Sequence, residues 1–380
     1  MLKGTHANVG IIGGGLAGVY LASQLAKNNI SYKLIESKSK LGGRIYAENT
    51  YSQSYQMDLG PSWIFPHQHR IQKLVSELGL ALVEQFNSGD AIFQRSLVEE
   101  PQQISGVAPP TMYRILGGTS KLIDTLAESV DKRHVFLSRT ADSLQFDGQF
   151  WQVHSSAQNG RPVPQETELD AFEHLVIATP PRVIANKISY VRDELNEPSL
   201  FFEELTQKFS GTPTWMAAQA KFAITFKQAF WREKGLSGQA FSHTGPMVEI
   251  HDASFEDGSQ QQVFALFGFI GIPFPQRQQI STEEMKRACI SQLVILFGEQ
   301  AYDYVDVYYK DWGSDAFTAT ISDQQQASVH PHIDLKNEQT QMVKMNLHLA
   351  ASEFAQSEAG YMEGAIVAAQ AAVDAIMSKM

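Results

Sequence analysis

The order of apolar and polar positions predicts a strand, a helix and a second strand at the start of the chain. Residues 8–12 form a short apolar run of the kind a buried parallel strand needs. Ala17, Leu21 and Leu25 then recur at helical spacing, and Asn28-Asn29 reads as the stop. Tyr32-Lys33-Leu34-Ile35 is the next strand, ending at Glu36. Apolar residues on both sides of Lys221, from Ala218 to Phe226, predict another strand; a lysine there faces outward or serves a purpose. Ser281 and Glu284 have capping-box spacing ahead of a helix that Gly298 would stop. On it Cys289, Leu293 and Leu296 share a face, so Cys289 is expected as a core thiol. The apolar stretch from Gly364 to Met377 is broken by Gln370 and Asp374 and reads as a buried helix.

The first three elements make a βαβ unit with Gly13, Gly15 and Gly18 in G-x-G-x-x-G spacing. Gly13 permits the tight turn, Gly15 lets a pyrophosphate approach, and Gly18 lets helix and strand pack closely. The helix N-terminus offers free N–H groups to phosphate. Glu36, 18 residues after Gly18, stands where a carboxylate accepts ribose hydroxyls. The alternative is a glycine-rich turn in an ordinary α/β domain, but strand, helix and acidic residue together favour a dinucleotide. Gly42-Gly43-Arg44 supplies a second loop, with Arg44 as a bidentate donor to the pyrophosphate. No second G-x-G-x-x-G occurs, so a separate nicotinamide nucleotide site is not expected.

Composition narrows the classes. At 380 residues and 43% hydrophobic, the chain has ample core for two or three domains. Its net charge of −11 argues against a nucleic-acid partner. The single cysteine cannot make an intrachain disulfide, and no run of 18 apolar residues or early apolar segment is present. A cytoplasmic protein without a membrane anchor, monomer or homodimer, is the expectation. His67 and His69, and His330 and His332, are spaced as H-x-H, but no third ligand accompanies either pair, so no metal is expected.

Several blocks carry a resemblance. Residues 9–80, with Asp58-Leu59-Gly60-Pro61-Ser62-Trp63, look like the N-terminal portion of the flavin-containing amine oxidase superfamily, which includes monoamine and polyamine oxidases. Leu116-Gly117-Gly118-Thr119-Ser120 resembles its Gly-Gly segment, and Leu175 to Pro181 its return strand and turn. Phe230-Trp231, the segment from Trp312, Ser352-Glu353, and Gly360-Tyr361-Met362-Glu363-Gly364-Ala365 resemble later signatures in the same order. The resemblance implies an α/β fold: a Rossmann-type FAD-binding domain with a parallel sheet, plus a mixed-sheet α+β substrate domain. The FAD domain would take 1–80, 116–190 and 312–380, and the substrate domain 81–115 and 191–311. The 81–115 insertion is short for the family, so the site is either more open or roofed by residues 196–216. Val107-Ala108-Pro109-Pro110 reads as a connecting loop.

The resemblance also implies a cofactor set: Gly13, Gly15, Leu16, Ala17, Gly18, Glu36, Ser37, Gly43, Arg44, Gly60, Pro61, Ser62, Trp63, Ala141, Thr179, Trp312, Glu353, Gly360, Tyr361 and Met362. The helix opening at Gly360 would aim its positive end at the flavin. FAD is expected to be non-covalent, because no cysteine follows Trp312. Lys221, Tyr361, Trp312 and Trp63 are the implied catalytic residues. The family's lysine holds a water at the flavin and is linked to oxygen reactivity. Its tyrosine is one wall of an aromatic cage that attracts a cationic amine and favours the free base. The usual second wall falls near Thr320 to Ser322 and is not aromatic; Trp63, Trp215 and Trp312 are the candidates. The implied reaction is oxidation of a small amine to an imine, which hydrolyses to a carbonyl compound and ammonia or a smaller amine, with O2 reduced to peroxide. Rivals are an oxidase or desaturase acting on C–C bonds and a flavin-binding protein without turnover, the latter prompted partly by Ala351 where the family has glycine. An L-amino-acid oxidase is disfavoured by Trp63, where those enzymes carry an arginine for the carboxylate.

Overall fold

The computed structural model describes residues 7–106, 110–157, 169–190, 199–256, 262–326 and 328–380. The loop expected at 107–110 and the proposed roof at 196–216 therefore lie partly outside the described residues. Two compact units divide the chain: Met1–Arg44, Ile123–Ala217 and Ala316–Met380 in the first, and Ile45–Leu122 and Ala218–Asp315 in the second. These cuts differ from the expected boundaries. Residues 45–80, 116–122 and 312–315 pack in the second unit, and 199–217 in the first.

The first unit is built on an eight-stranded sheet. Strand Ala7–Ile12 pairs in parallel with Tyr32–Ile35 on one side and Leu169–Ile177 on the other, and Val135–Phe136 extends the parallel set. Val9, Ile11, Leu34, Val176 and Ile177 are fully buried, as a sheet covered on both faces requires. Gly10 leaves room for the buried ring of Phe172, which a Cβ at position 10 would meet at 2.5 Å. Strand Leu169–Ile177 splits its outer edge. Its first half pairs antiparallel with Trp151–Ala157, its last three residues in parallel with Leu347–Leu349. Helices Leu16–Lys27 and Met362–Met377 pack together, with Tyr20 Oη donating to Gln370 Oε1 at 2.6 Å. The last helix thus starts two residues before the apolar run that announces it.

The second unit holds a seven-stranded sheet, antiparallel except where Leu236–Ser242 runs parallel to Asp90–Gln94. The strand bearing Lys221 is Ala220–Phe226, and every residue of it is buried. The outward-facing alternative for Lys221 is therefore wrong: strands Phe264–Ile270 and Tyr304–Asp311 flank it on both sides. Helix Thr282–Phe297 packs Cys289, Leu293 and Leu296 into the same core as Phe226 and Trp231. Its capping box is complete: Ser281 Oγ accepts from Glu284 N, and Glu284 Oε2 accepts from Ser281 N. No helix among the described residues is long and apolar enough to cross a membrane.

Candidate active site

In the first unit, glycines clear a cradle at the tip of the first strand. Gly13 has φ +107, and a Cβ on it would lie 2.7 Å from Thr179 Oγ1 and 2.8 Å from the Ala178 carbonyl. A Cβ on Gly18 would overlap the Gly13 carbonyl, and one on Gly43 would come within 3.0 Å of Gly15 Cα. Helix Leu16–Lys27 begins here with Gly15 at its N-cap and no side chain capping it, so the first-turn N–H groups of Leu16, Ala17 and Gly18 lack intrahelical partners. A side-chain-free cradle at an uncapped twelve-residue helix fits a pyrophosphate. Glu36 lies beside it, accepting from Gly14 N at 2.5 Å and Lys38 N at 2.7 Å. Ser37 is the half-buried residue between them. Lys38, which the motif reading passed over, reaches Gly43 O and Thr318 Oγ1, both at 3.4 Å.

Arg44 departs from expectation. Its Nη atoms grip both oxygens of Glu353, at 2.6 and 2.9 Å, and also donate to Ser352 Oγ and the Trp215 carbonyl. The fork expected to face a phosphate is occupied by a buried carboxylate, which leaves Nε–H as the donor still available. Thr179 Oγ1 ties to the Ile12 carbonyl at 3.0 Å. Ala141 is buried in the sheet core, where it offers packing.

The head of the last helix carries an aromatic group. Tyr361 is its N-cap residue, Met362 its first helical residue, and no side chain caps it. Gly360 has φ +90, and a Cβ there would meet Trp215 Cβ at 2.6 Å. The glycine thus lets Trp215 approach Tyr361, with ring centroids 6.2 Å apart and planes tilted by 53°. Of the three tryptophans considered for the second wall, Trp215 is the one in Tyr361's own unit. Ala351 has φ −64, a conformation open to any residue, so its backbone does not call for glycine.

In the second unit, Lys221 is 2% exposed and donates to Ser62 Oγ at 2.5 Å and the Gly60 carbonyl at 3.1 Å. Its ammonium lies over the Phe267 ring at 4.1 Å, with Phe269 at 5.7 Å. Burial pulls its pKa down to about 7, partly opposed by Asp58 and reinforced by Arg114. Asp58, itself raised by burial, accepts from Thr119 N at 2.7 Å, and Thr119 Oγ1 donates to the Pro61 carbonyl. The polar atoms of Gly60, Pro61 and Ser62 therefore serve Lys221 and Thr119 within this unit. Trp63 donates to Gln85 Oε1 at 2.9 Å and meets the His251 ring edge-on at 4.8 Å. Trp312 is buried, donates to the Leu59 carbonyl at 2.7 Å and packs edge-on to Tyr46. Asp58 and Arg114 act on Lys221, Thr119 bonds Pro61 and His251 packs on Trp63, contacts that the linear sequence hides. Among the described residues no cluster of three or more His, Cys, Asp or Glu could hold a metal.

Comparison with known proteins places this geometry. Residues 102–377 match the model of the flavin containing amine oxidoreductase family, and residues 11–78 that of an NAD(P)-binding Rossmann-like domain. An L-amino acid dehydrogenase of Synechocystis is 23% identical over 97% of this chain and 94% of its own. A probable flavin-containing monoamine oxidase A of Dictyostelium discoideum is 21% identical over 95% of both. Among solved structures, putrescine oxidase bound to putrescine superposes with a TM-score of 0.78 at 17% identity, covering 99% of this chain and 100% of that one. Cyclohexylamine oxidase from Brevibacterium oxydans gives 0.78 at 18% identity, covering 98% and 99%. The family match spans well over half the chain: this protein belongs to the flavin-containing amine oxidoreductases, and is an FAD-dependent oxidoreductase acting on CH–NH bonds.

Proposed function

We propose that the protein is an amine oxidase that returns its electrons to O2. Bound FAD supplies the two-electron acceptor. The substrate gives up a hydride equivalent from the carbon bearing nitrogen, together with a proton, and leaves as an imine. Water then converts the imine to a carbonyl compound and ammonia or a smaller amine. O2 takes up the two electrons and two protons to give H2O2.

The observation that carries the oxidase reading is Lys221. It is a buried cation on neutral acceptors, so both protonation states are accessible near neutral pH. An ammonium in a water-poor site stabilises the negative charge that builds as oxygen accepts electrons. The aromatic pair of Trp215 and Tyr361 supports the amine reading: ring faces attract a cation, and apolar surroundings favour release of the free base. In the cofactor cradle, Glu36 is oriented by two backbone N–H groups to accept ribose hydroxyls. The first turn at Leu16 to Gly18, with Gly43 and Arg44 Nε, serves the pyrophosphate. Gly360 to Met362 would serve the flavin ring.

A second reading, an L-amino acid dehydrogenase passing electrons to an acceptor other than oxygen, rests on the Synechocystis relative. Against it, Trp63 stands where the resemblance puts the arginine that would hold an amino acid's carboxylate.

Anaerobic absorbance titration of the FAD-loaded protein separates the two. Primary, secondary and polyamines are added, then L-amino acids. Bleaching by an amine, reversed by air with peroxide, supports the oxidase. Bleaching by an L-amino acid, reversed by a dye and not by air, supports the dehydrogenase. A flavin that no amine reduces would refute the amine reading.

A further inference from the structure

His330 lies on the face of Trp215. Their ring centroids are 3.7 Å apart and their planes 18° from parallel, as close as aromatic stacking allows. The same imidazole is 5.2 Å from the Tyr361 ring, and its Nε2 is 3.4 Å from the Tyr361 hydroxyl. The Trp215–Tyr361 separation of 6.2 Å is far shorter than the other two laid end to end. His330 is therefore not a filling between two walls; it covers one face of Trp215 and touches the rim of Tyr361. His330 itself is exposed, so its ring can leave that face for solvent without unfolding anything.

Resting on the amine reading, we infer that His330 is a specificity-determining residue: its imidazole holds the Trp215 face that an aryl or ammonium group of the substrate needs. An aryl amine gains that face only by displacing the ring, whereas a small alkyl amine needs less of it. The charged and titratable groups around the stack are the Tyr361 hydroxyl and Glu358 at the helix head. Arg44 and Glu353 lie behind the Trp215 carbonyl, and His332 and Asp334 follow on the same segment.

The test compares wild type, His330→Ala and His330→Phe as FAD-loaded proteins in anaerobic stopped-flow reduction, with benzylamine and butylamine as probes. His330→Ala should tighten benzylamine binding about two- to fivefold, the worth of one cation–π contact, with the limiting reduction rate and butylamine binding little changed. His330→Phe keeps a ring on Trp215, so it should retain the weaker, wild-type benzylamine binding. Tryptophan fluorescence reports the stack itself and should differ between wild type and His330→Ala. If amines reduce the wild-type flavin while His330→Ala binds benzylamine with wild-type affinity, this inference fails alone. If no amine reduces the wild type, the amine reading has failed first and takes the inference with it.

Discussion

The two units treat their buried cations differently. In the first, the buried Lys and Arg among the described residues meet a carboxylate directly, Lys33 on Asp170 at 2.6 Å and Arg182 on Asp323 at 2.7 Å, and half-buried Arg44 meets Glu353 at 2.6 Å. In the second, buried Arg277 and half-buried Arg232 follow the same rule with Asp311 and Asp252. Lys221 and Arg114 do not. Lys221 rests on a hydroxyl and a carbonyl, Arg114 on the carbonyls of Ala253 and Ser254, and Asp58 influences both without an ion-pair contact to either. A buried charge with a directly bonded counter-charge is compensated. One without it keeps its desolvation penalty, and its protonation becomes adjustable. Under the proposed function, the difference separates cations that hold a fold from a cation poised for chemistry.

The largest effect should come from breaking a compensated pair. Arg182→Met strands the Asp323 carboxylate, which also caps the Thr320 turn and accepts from Thr214 N. A loss of about 3–5 kcal/mol in urea unfolding of the FAD-loaded protein is expected. A loss below about 1 kcal/mol would show that Thr320 and Thr214 satisfy Asp323 unaided, and would dissolve the contrast.

At Lys221 the signs reverse. Lys221→Met removes an under-compensated charge, so it should not destabilise the neutral-pH protein, yet reoxidation of the reduced flavin by O2 should slow on the order of 10²-fold. Full oxygen reactivity in this variant would refute its role. The linkage has a definite sign. With a folded pKa of about 7 against 10.5 unfolded, the unfolded chain binds the extra proton between those values. Wild-type stability should therefore gain from this group as pH rises from 7 towards 10.5, and Lys221→Met should lack that gain. Because Asp58 holds the lysine pKa up, Asp58→Asn should move the midpoint of the pH profile for reoxidation downwards. An upward movement would assign the profile to another group.

How much of this the sequence disclosed follows from contact distance along the chain. The Gly13–Gly15–Gly18 turn, the Ser281 capping box and the strand around Lys221 were legible because each depends on residues a few positions apart. Arg44 misled because its partner, Glu353, is 309 positions away, and nothing near Gly42-Gly43-Arg44 signals that the fork is already occupied. Lys221 was legible as an anomaly, a lysine in an apolar strand. Its acceptors, about 160 positions upstream, were quoted only as part of a cofactor motif. Trp215 could not be chosen over Trp63 and Trp312 from the sequence, since the choice depends on Gly360 leaving space for it.

A pair without any carboxylate gives a smaller effect. His174 and His348 stack with Nδ1 and Nε2 3.1 Å apart, and burial holds both neutral, with His348 lowered to about 3. The unfolded histidines charge below about 6.5 while the folded ones do not. Stability from this pair is thus full above that value and declines as pH falls towards 3. His348→Gln should flatten the acid limb of the stability curve; an unchanged limb would place the acid sensitivity elsewhere.

The smallest effect tests whether stability and flavin chemistry can be separated in the second unit. Ser281→Ala removes the Oγ that accepts from Glu284 N and donates to Glu284 Oε2, at the exposed start of helix Thr282–Phe297. One lost N-cap should lower stability by about 1 kcal/mol. The helix still buries Cys289, Leu293 and Leu296, so the sheet carrying Lys221 keeps its packing. Stability should fall while the reoxidation rate and its pH midpoint remain those of wild type. If reoxidation slows in step with stability, the loss in Lys221→Met would no longer need a charge to explain it, and the distinction between structural and poised cations would have to rest on the pH midpoint of Asp58→Asn alone.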